Sequence, residues 1–302
     1  MTSIRSLNWI APPFPACQLA ESPRFCHNHW VWLDIDGQVL YRCDQADLLN
    51  APATAVESQT LPDQMGCVLP TQHANQYMLY GRQGIYHLNW PAGRGGAFSK
   101  SAEAPFNPDR YRFNDGRADI NGRAWVSTLS DARTPGACLF RLDQHTTTSY
   151  IENLIVGNGL AFSPNGDTMY FADTRQRKVW RFDCDPQLGV LKHQELLAEY
   201  TQGAERPDGA TVASDGSYLV AVLEGYRLDR YHLNGKLLEE IELPLAKPTM
   251  PCLGGPGLNQ LMVTGIEHAP DHPNRTGFET ASLVVAQTEL TGIAENAVNP
   301  TN

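Results

Sequence analysis

PNGDTMYFADTRQRKVWRFD, residues 164–183, reads as a polar turn, an apolar strand, a loop and a second strand that stops at an aspartate. Its runs of β-branched and aromatic residues are short and bounded by Gly, Asn and Asp, which is the signature of strands and not of an amphipathic helix. The same pattern recurs in HNHWVWLDIDGQVLYRCD (27–44), ANQYMLYGRQGIYHLNW (74–90), INGRAWVSTLSDARTPGACLFRLD (120–143) and SDGSYLVAVLEGYRLDRYHLN (214–234). A weaker copy is LNQLMVTG (258–265), with ASLVVAQTE (281–289) as its second strand. Counted between the turn residues Asn28, Asn75, Asn121, Asn165, Asp215 and Asn259, the spacings are 47, 46, 44, 50 and 44 residues.

Repeats of that length built only from strands are blades of a β-propeller, each needing its neighbours to cover its faces. The expectation is therefore an all-β fold, one six-bladed β-propeller domain spanning residues 1–302 around a central channel. A β-sandwich with fortuitous regularity is the alternative. SIRSLNWIA (3–11) is expected to supply the closing strand of the last blade.

Composition narrows the function classes. With 23 Lys+Arg against 33 Asp+Glu and a formal net charge of -10, the chain lacks the basic runs that nucleic acid or an anionic membrane would require. No stretch approaches the ~18 apolar residues of a membrane helix. The proline-interrupted start, with Pro12, Pro13 and Pro15, carries no leader pattern. Seven scattered cysteines without a Cys-x-x-Cys spacing speak for reduced thiols, hence a cytoplasmic protein, and against disulfides or a zinc–thiolate cluster. A small polar ligand or a cation is the expected partner; protein partners are left open.

Four short pieces carry more polarity than their local structure needs: LAESPRF (19–25), RFNDG (112–116), VGNGLAFSP (156–164) and RPDGATVASDG (206–216). Asn114-Asp115-Gly116 by itself reads as a hairpin turn, and Gly157-Asn158-Gly159 and Pro207-Asp208-Gly209 are also ordinary turn sequences. Turn chemistry leaves Arg112 and Asp119 unexplained. In a propeller, ligands bind where strand ends of several blades converge. Glu21, Asn158 and Asp208 would then bring oxygen donors from three repeats to one hard divalent cation, with positions left open for water and substrate. Arg112 and Asn114 would bind ligand oxygens beside it.

LAESPRF, RFNDGRAD, NGLAFSPNGDTMYFADT, RPDGATVASDG and KPTMPCLGG, in this order from about Cys17 to Gly265, resemble the senescence-marker-protein / gluconolactonase / regucalcin family. The resemblance implies a six-bladed propeller that hydrolyses a sugar lactone with one divalent cation, calcium first, with zinc, magnesium, manganese or ferrous iron as alternatives. It implies Glu21, Asn158 and Asp208 as metal ligands and Asp208 also as catalytic base. Arg112 and Asn114 fall at substrate-binding positions, and Asp115 supports them from behind. Where some members carry a substrate-contacting Glu, this chain reads STLSDARTPG, so Asp131 takes that place. LEGYRL puts Glu224 and Tyr226 near the expected mouth.

Two other functions fit the same fold: a non-catalytic calcium- or sugar-binding regulatory propeller, and an organophosphate or aryl-ester hydrolase. His268 and His272, separated by Pro270, are read as a loop and not a metal pair, and His27 and His29 as solvent-facing. Ser163 lacks the glycines of a nucleophile elbow.

Overall fold

The computed structural model describes residues 3–143, 146–266 and 273–299; His268 and His272 lie outside the described residues. Six sheets, one per repeat, form a β-propeller. Blade 1 runs outward from Ala20–Cys26 through His29–Asp34 and Val39–Cys43 to Val56–Thr60. Blades 2 to 5 repeat this four-strand order, starting from the inner strands Met65–Pro70, Tyr111–Ala118, Gly157–Phe162 and Arg206–Val212. Blade 6 has Pro248–Gly254, Gln260–Gly265 and Leu283–Gln287. The inner strands touch one another in cyclic order, with blade 6 returning to blade 1, so the ring is closed. Among the described residues no helix is long and apolar enough to cross a membrane.

The repeats read from sequence are the second and third strands of each blade: the second are buried on both faces by their neighbours, and the third are partly exposed. Trp32, Tyr77, Trp125, Tyr170 and Tyr218 are among the buried aromatics that fill the gaps between sheets. All seven cysteines are free.

Two sequence expectations are corrected here. Ser3–Ser6 does not close the last blade: it lies parallel against Leu237–Glu242 on the outer edge of blade 5. The backbone pairing of SIRSLNWIA with blade 6 is a single antiparallel bridge from Ile10 to Val285, beside which Leu7 and Trp9 pack on the apolar cluster of Leu261 and Val284.

The second correction concerns Asn114-Asp115-Gly116, which is not a hairpin corner. The inner strand of blade 3 continues through it to Ala118, and its pairing shifts register between Phe113 and Gly116. The corner lies further on, where Gly122 donates to the Asp119 carbonyl and the Asp119 carboxylate accepts from Asn121 and Arg123 backbone N–H, Arg123 Nε and Trp125 Nε1. Asp119 is thus fully engaged in building the turn.

Equivalent bulges interrupt every inner strand: between Glu21 and Arg24, Met65 and Cys67, Asn158 and Ala161, Pro207 and Ala210, and Pro248 and Pro251. A bulge sets two residues against one and re-aims the side chains around it. The glycines that resemble turn signals serve close packing at these points. Gly159 has φ +60, and a Cβ there would lie 2.5 Å from Tyr218 Oη. A Cβ on Gly209 would meet Met250 Cβ at 2.6 Å.

Candidate active site

The bulges aim side chains of four blades into one cavity of about 180 Å³ at the end of the channel where the inner strands begin. Glu21 comes from blade 1, Arg112 and Asn114 from blade 3, Asn158 from blade 4 and Asp208 from blade 5. Leu19, Ile35 and Ile266 give the wall an apolar part. Five residues named from sequence therefore line one space.

Asn158 Nδ2 donates to Asp208 Oδ1 in a short contact and also to Thr174 Oγ1 at 3.2 Å. Glu21 Oε2 accepts from the Ser22 backbone N–H at 2.7 Å. Arg112 Nη1 donates to the Phe113 carbonyl (2.9 Å) and to Asn114 Oδ1 (2.8 Å), and Asn114 Nδ2 donates across to the Gly157 carbonyl (2.9 Å). Asn114 is thereby a strut between blades 3 and 4, holding Arg112 at the cavity wall.

Behind the cavity, Asp115 Oδ2 accepts from the Leu160 backbone N–H at 2.8 Å, while its Oδ1 is buried without a partner. The three carboxylates strain against one another. Burial, and then the charge on Asp115, pushes Glu21 up to about 8. Burial followed by Glu21 and Asp115 holds Asp208 well above the carboxylate range, and burial also raises Asp115.

This donor set fits a hard divalent cation. Such ions take carboxylate and amide oxygens and are held most strongly where negative charge is uncompensated. Glu21 and Asp208 supply that charge. The Asn158 amide would supply a third oxygen with its Oδ1 turned toward Asp208, in place of the Nδ2 contacts to Asp208 and Thr174 and of the Gly159 N–H bond that Oδ1 now accepts. Among the described residues no three of His, Cys, Asp and Glu form a cage, so a cation held here by three protein donors would need the amide as well.

Asp131 is not brought to the cavity wall. Its carboxylate is clasped by Arg82, at 2.7 Å to Nη1 and 3.1 Å to Nη2. The STLSDARTPG segment instead sends Arg133 to the wall. Glu224 holds Arg206 at 2.8 Å, and the Tyr226 hydroxyl donates to the Pro273 carbonyl at 2.6 Å. Ser163 caps its own turn through Asn165 and Asp167. His27 is exposed with Nε2 2.9 Å from the Thr71 carbonyl oxygen, whereas His29 is half-buried beside Asp44.

Sequence reading missed Arg133, Thr174, Arg175 and Arg206 on the wall. Arg206 opens the RPDG motif, one position from its proline. Arg24 and Arg117, inside LAESPRF and RFNDGRAD, were also missed. They lie beneath the carboxylates, where Arg24 Nη2 donates to the Gly116 carbonyl (2.7 Å) and Arg117 Nη2 to the Ala210 carbonyl (3.3 Å). Arg24 and Arg117 meet Glu295 at 3.6 and 3.5 Å, respectively. Residues around Glu295 cross the far end of the channel, with Val298 bridging Thr71 and Asn299 donating to Gly122.

A family model described as SMP-30/Gluconolactonase/LRE-like region matches residues 19–267. The chain is 35% identical over 253 residues to a 6-deoxy-6-sulfogluconolactonase of Pseudomonas putida, covering 83% of this chain and 81% of that one. It is 31% identical over 278 residues to an L-arabinolactonase of Azospirillum brasilense, covering 87% and 85%. Among solved structures, a calcium-binding protein, regucalcin, from Agrobacterium tumefaciens superposes with a TM-score of 0.87 at 19% identity over 99% of this chain and 100% of that one.

Proposed function

Because this chain belongs to the SMP-30/gluconolactonase/LRE-like family, we propose that it is a divalent-cation-dependent lactonase that opens a sugar lactone to its aldonic acid. The observation that carries this reading is the convergence of Glu21, Asn158 and Asp208, from three blades, on one cavity that Arg112 also lines. Relatives named for the hydrolysis of a sulfogluconolactone and an arabinolactone support the substrate class.

In the reaction, water oxygen bonds to the lactone carbonyl carbon, the ring C–O bond breaks, and the ring oxygen leaves as a hydroxyl. A cation held by Glu21, Asn158 and Asp208 would supply Lewis-acid polarisation of the carbonyl and charge stabilisation of the oxyanion. Asp208 takes the proton of the attacking water, and since a carboxylate on a cation is a weaker base, the pKa of that water would also have to be lowered by the cation. The proton then passes to the departing ring oxygen. Arg112, steadied by Asn114, donates hydrogen bonds to lactone oxygens and orients the ring. Leu19, Ile35 and Ile266 limit the water around the reacting atoms. The free cysteines fit a reducing compartment such as the cytoplasm.

A pH-stat screen of aldonolactones tests the reading, run on metal-stripped protein and after restoring calcium, zinc, magnesium, manganese or ferrous iron singly. Acid release that vanishes on stripping and returns with at least one cation is expected. Full activity in verified metal-free protein would overturn the cation requirement, and failure to open any lactone would overturn the enzyme reading.

A further inference from the structure

The cavity wall carries four guanidinium groups, Arg112, Arg133, Arg175 and Arg206, against two carboxylates, Glu21 and Asp208. This is a cationic mouth on a chain whose formal net charge is -10. The cations are also one-sided: blades 3, 4 and 5 supply all of them, and blades 1, 2 and 6 none.

The nearest carboxylates pair with only one of them, Arg206. Asp131 is clasped by Arg82 and Glu224 by Arg206. Arg133 and Arg175 have no hydrogen-bond or ion-pair partner for their guanidinium groups among the described residues. They stand close enough to repel: burial followed by Arg175 lowers the Arg133 pKa, and the charges of Asp131 and Asp208 offset this only in part. Arg133 is moreover held at φ +55, a left-handed backbone that a non-glycine residue adopts at a cost, in a turn closed by its N–H to the Ser130 carbonyl. Two like charges over one cavity, without an ion-pair partner among the described residues and one of them on a strained turn, are poised for a ligand's negative charge.

Resting on the lactonase reading, we infer that the preferred substrate is an anionic sugar lactone. It would carry a sulfonate, phosphate or carboxylate group on the carbon remote from the ring carbonyl. Arg133 and Arg175 receive this group, while the lactone carbonyl lies toward Glu21, Asn158 and Asp208. Arg206, already shared with Glu224, adds field more than direct contact.

The test compares kcat/KM for gluconolactone and for its 6-sulfo, 6-phospho and 6-carboxy counterparts, in wild type and in Arg133→Gln/Arg175→Gln. A charge-assisted hydrogen bond contributes enough that at least one anionic lactone should exceed the neutral one by roughly tenfold or more. That ratio should collapse in the double variant and shrink with added salt. Differences among the three anions identify which group is accommodated. A wild-type ratio near one, or equal losses for charged and neutral lactones in the variant, would overturn the inference while leaving the lactonase reading intact. In parallel, calorimetry with hexitol 6-phosphate and unsubstituted hexitol needs no turnover. If no lactone is opened, the enzyme reading fails, and preferential binding of the phosphate by wild type but not by the variant still decides for the anion site. Equal binding of the two hexitols decides against it.

Discussion

Arg24 and Arg112 are both fully buried arginines on inner strands, yet the two ends of the channel treat them in opposite ways. Burial opposes the charge on Arg24, but Glu295 beside it, together with further negative groups including Asp115, raises its pKa. For Arg112 burial is reinforced by Arg133 and Arg82, and the pKa falls to about 10. The lower end supplies its own counter-charge from the segment that crosses it. The upper end leaves two carboxylates crowded against each other and two guanidinium groups without an ion pair among the described residues, an arrangement that a cation and an anionic ligand would complete. A protein keeps such uncompensated charge where function requires it and neutralises it elsewhere.

The largest expected effect is at the upper end. Asp208→Ala should abolish measurable cation binding and lower kcat/KM by roughly 10³-fold or more, the scale of losing a positioned base. Because the change also removes a like charge facing Glu21, the melting temperature of the metal-free protein should hold or rise. Calorimetric cation titration, pH-stat kinetics and a thermal melt report these three quantities, and tight cation binding by the variant would refute the ligand assignment.

Glu295→Gln probes the other end and should behave in reverse. Leaving Arg24 and Arg117 without their partner should cost about 3 kcal/mol of stability, seen as a fall of roughly 5 °C or more in Tm. Cation affinity should change little by comparison. An unaltered melt would mean that the two ends do not differ in the way their charges are balanced.

Arg112→Met comes next. It keeps an unbranched side chain but removes the donors, so cation affinity should persist while kcat/KM drops by one to two orders of magnitude, from a hydrogen-bond contribution of roughly 1.5–3 kcal/mol. Wild-type kinetics would move substrate positioning to another part of the wall.

The smallest effect belongs to Asp131→Asn. Its carboxylate faces Arg82, and a half-exposed ion pair contributes only about 0.2–1 kcal/mol, so kcat/KM should change less than roughly fivefold. A loss as large as that for Arg112→Met would return Asp131 to the substrate contacts expected from sequence.

These contrasts show why some of the site was legible and some was not. The period of the turn residues carried the six blades, because hydrophobic burial on both faces forces the same strand pattern in each repeat. Glu21, Asn158 and Asp208 stood out because no strand requires them. Asn-Asp-Gly was misread as a corner because the amino acids that suit a turn also suit a bulge, where small residues let neighbouring inner strands approach. Arg133, Arg175 and Glu295 escaped notice because their roles depend on which distant charges face them. Linear spacing does not encode that: Glu295 meets Arg24 across the whole ring.

That crossing has a consequence for the order of folding. Every blade precedes Glu295 in the chain, so Arg24 and Arg117 gain this partner only after the strands of all six blades have been synthesised. The segment then anchors by Gly292 N–H to the Leu258 carbonyl and by Val298 N–H to the Pro70 carbonyl. Only with that step do the two guanidinium groups have their partner in place. We expect the segment around Glu295 to act as a latch, so that during refolding the ring's resistance to proteolysis rises only once this segment has docked.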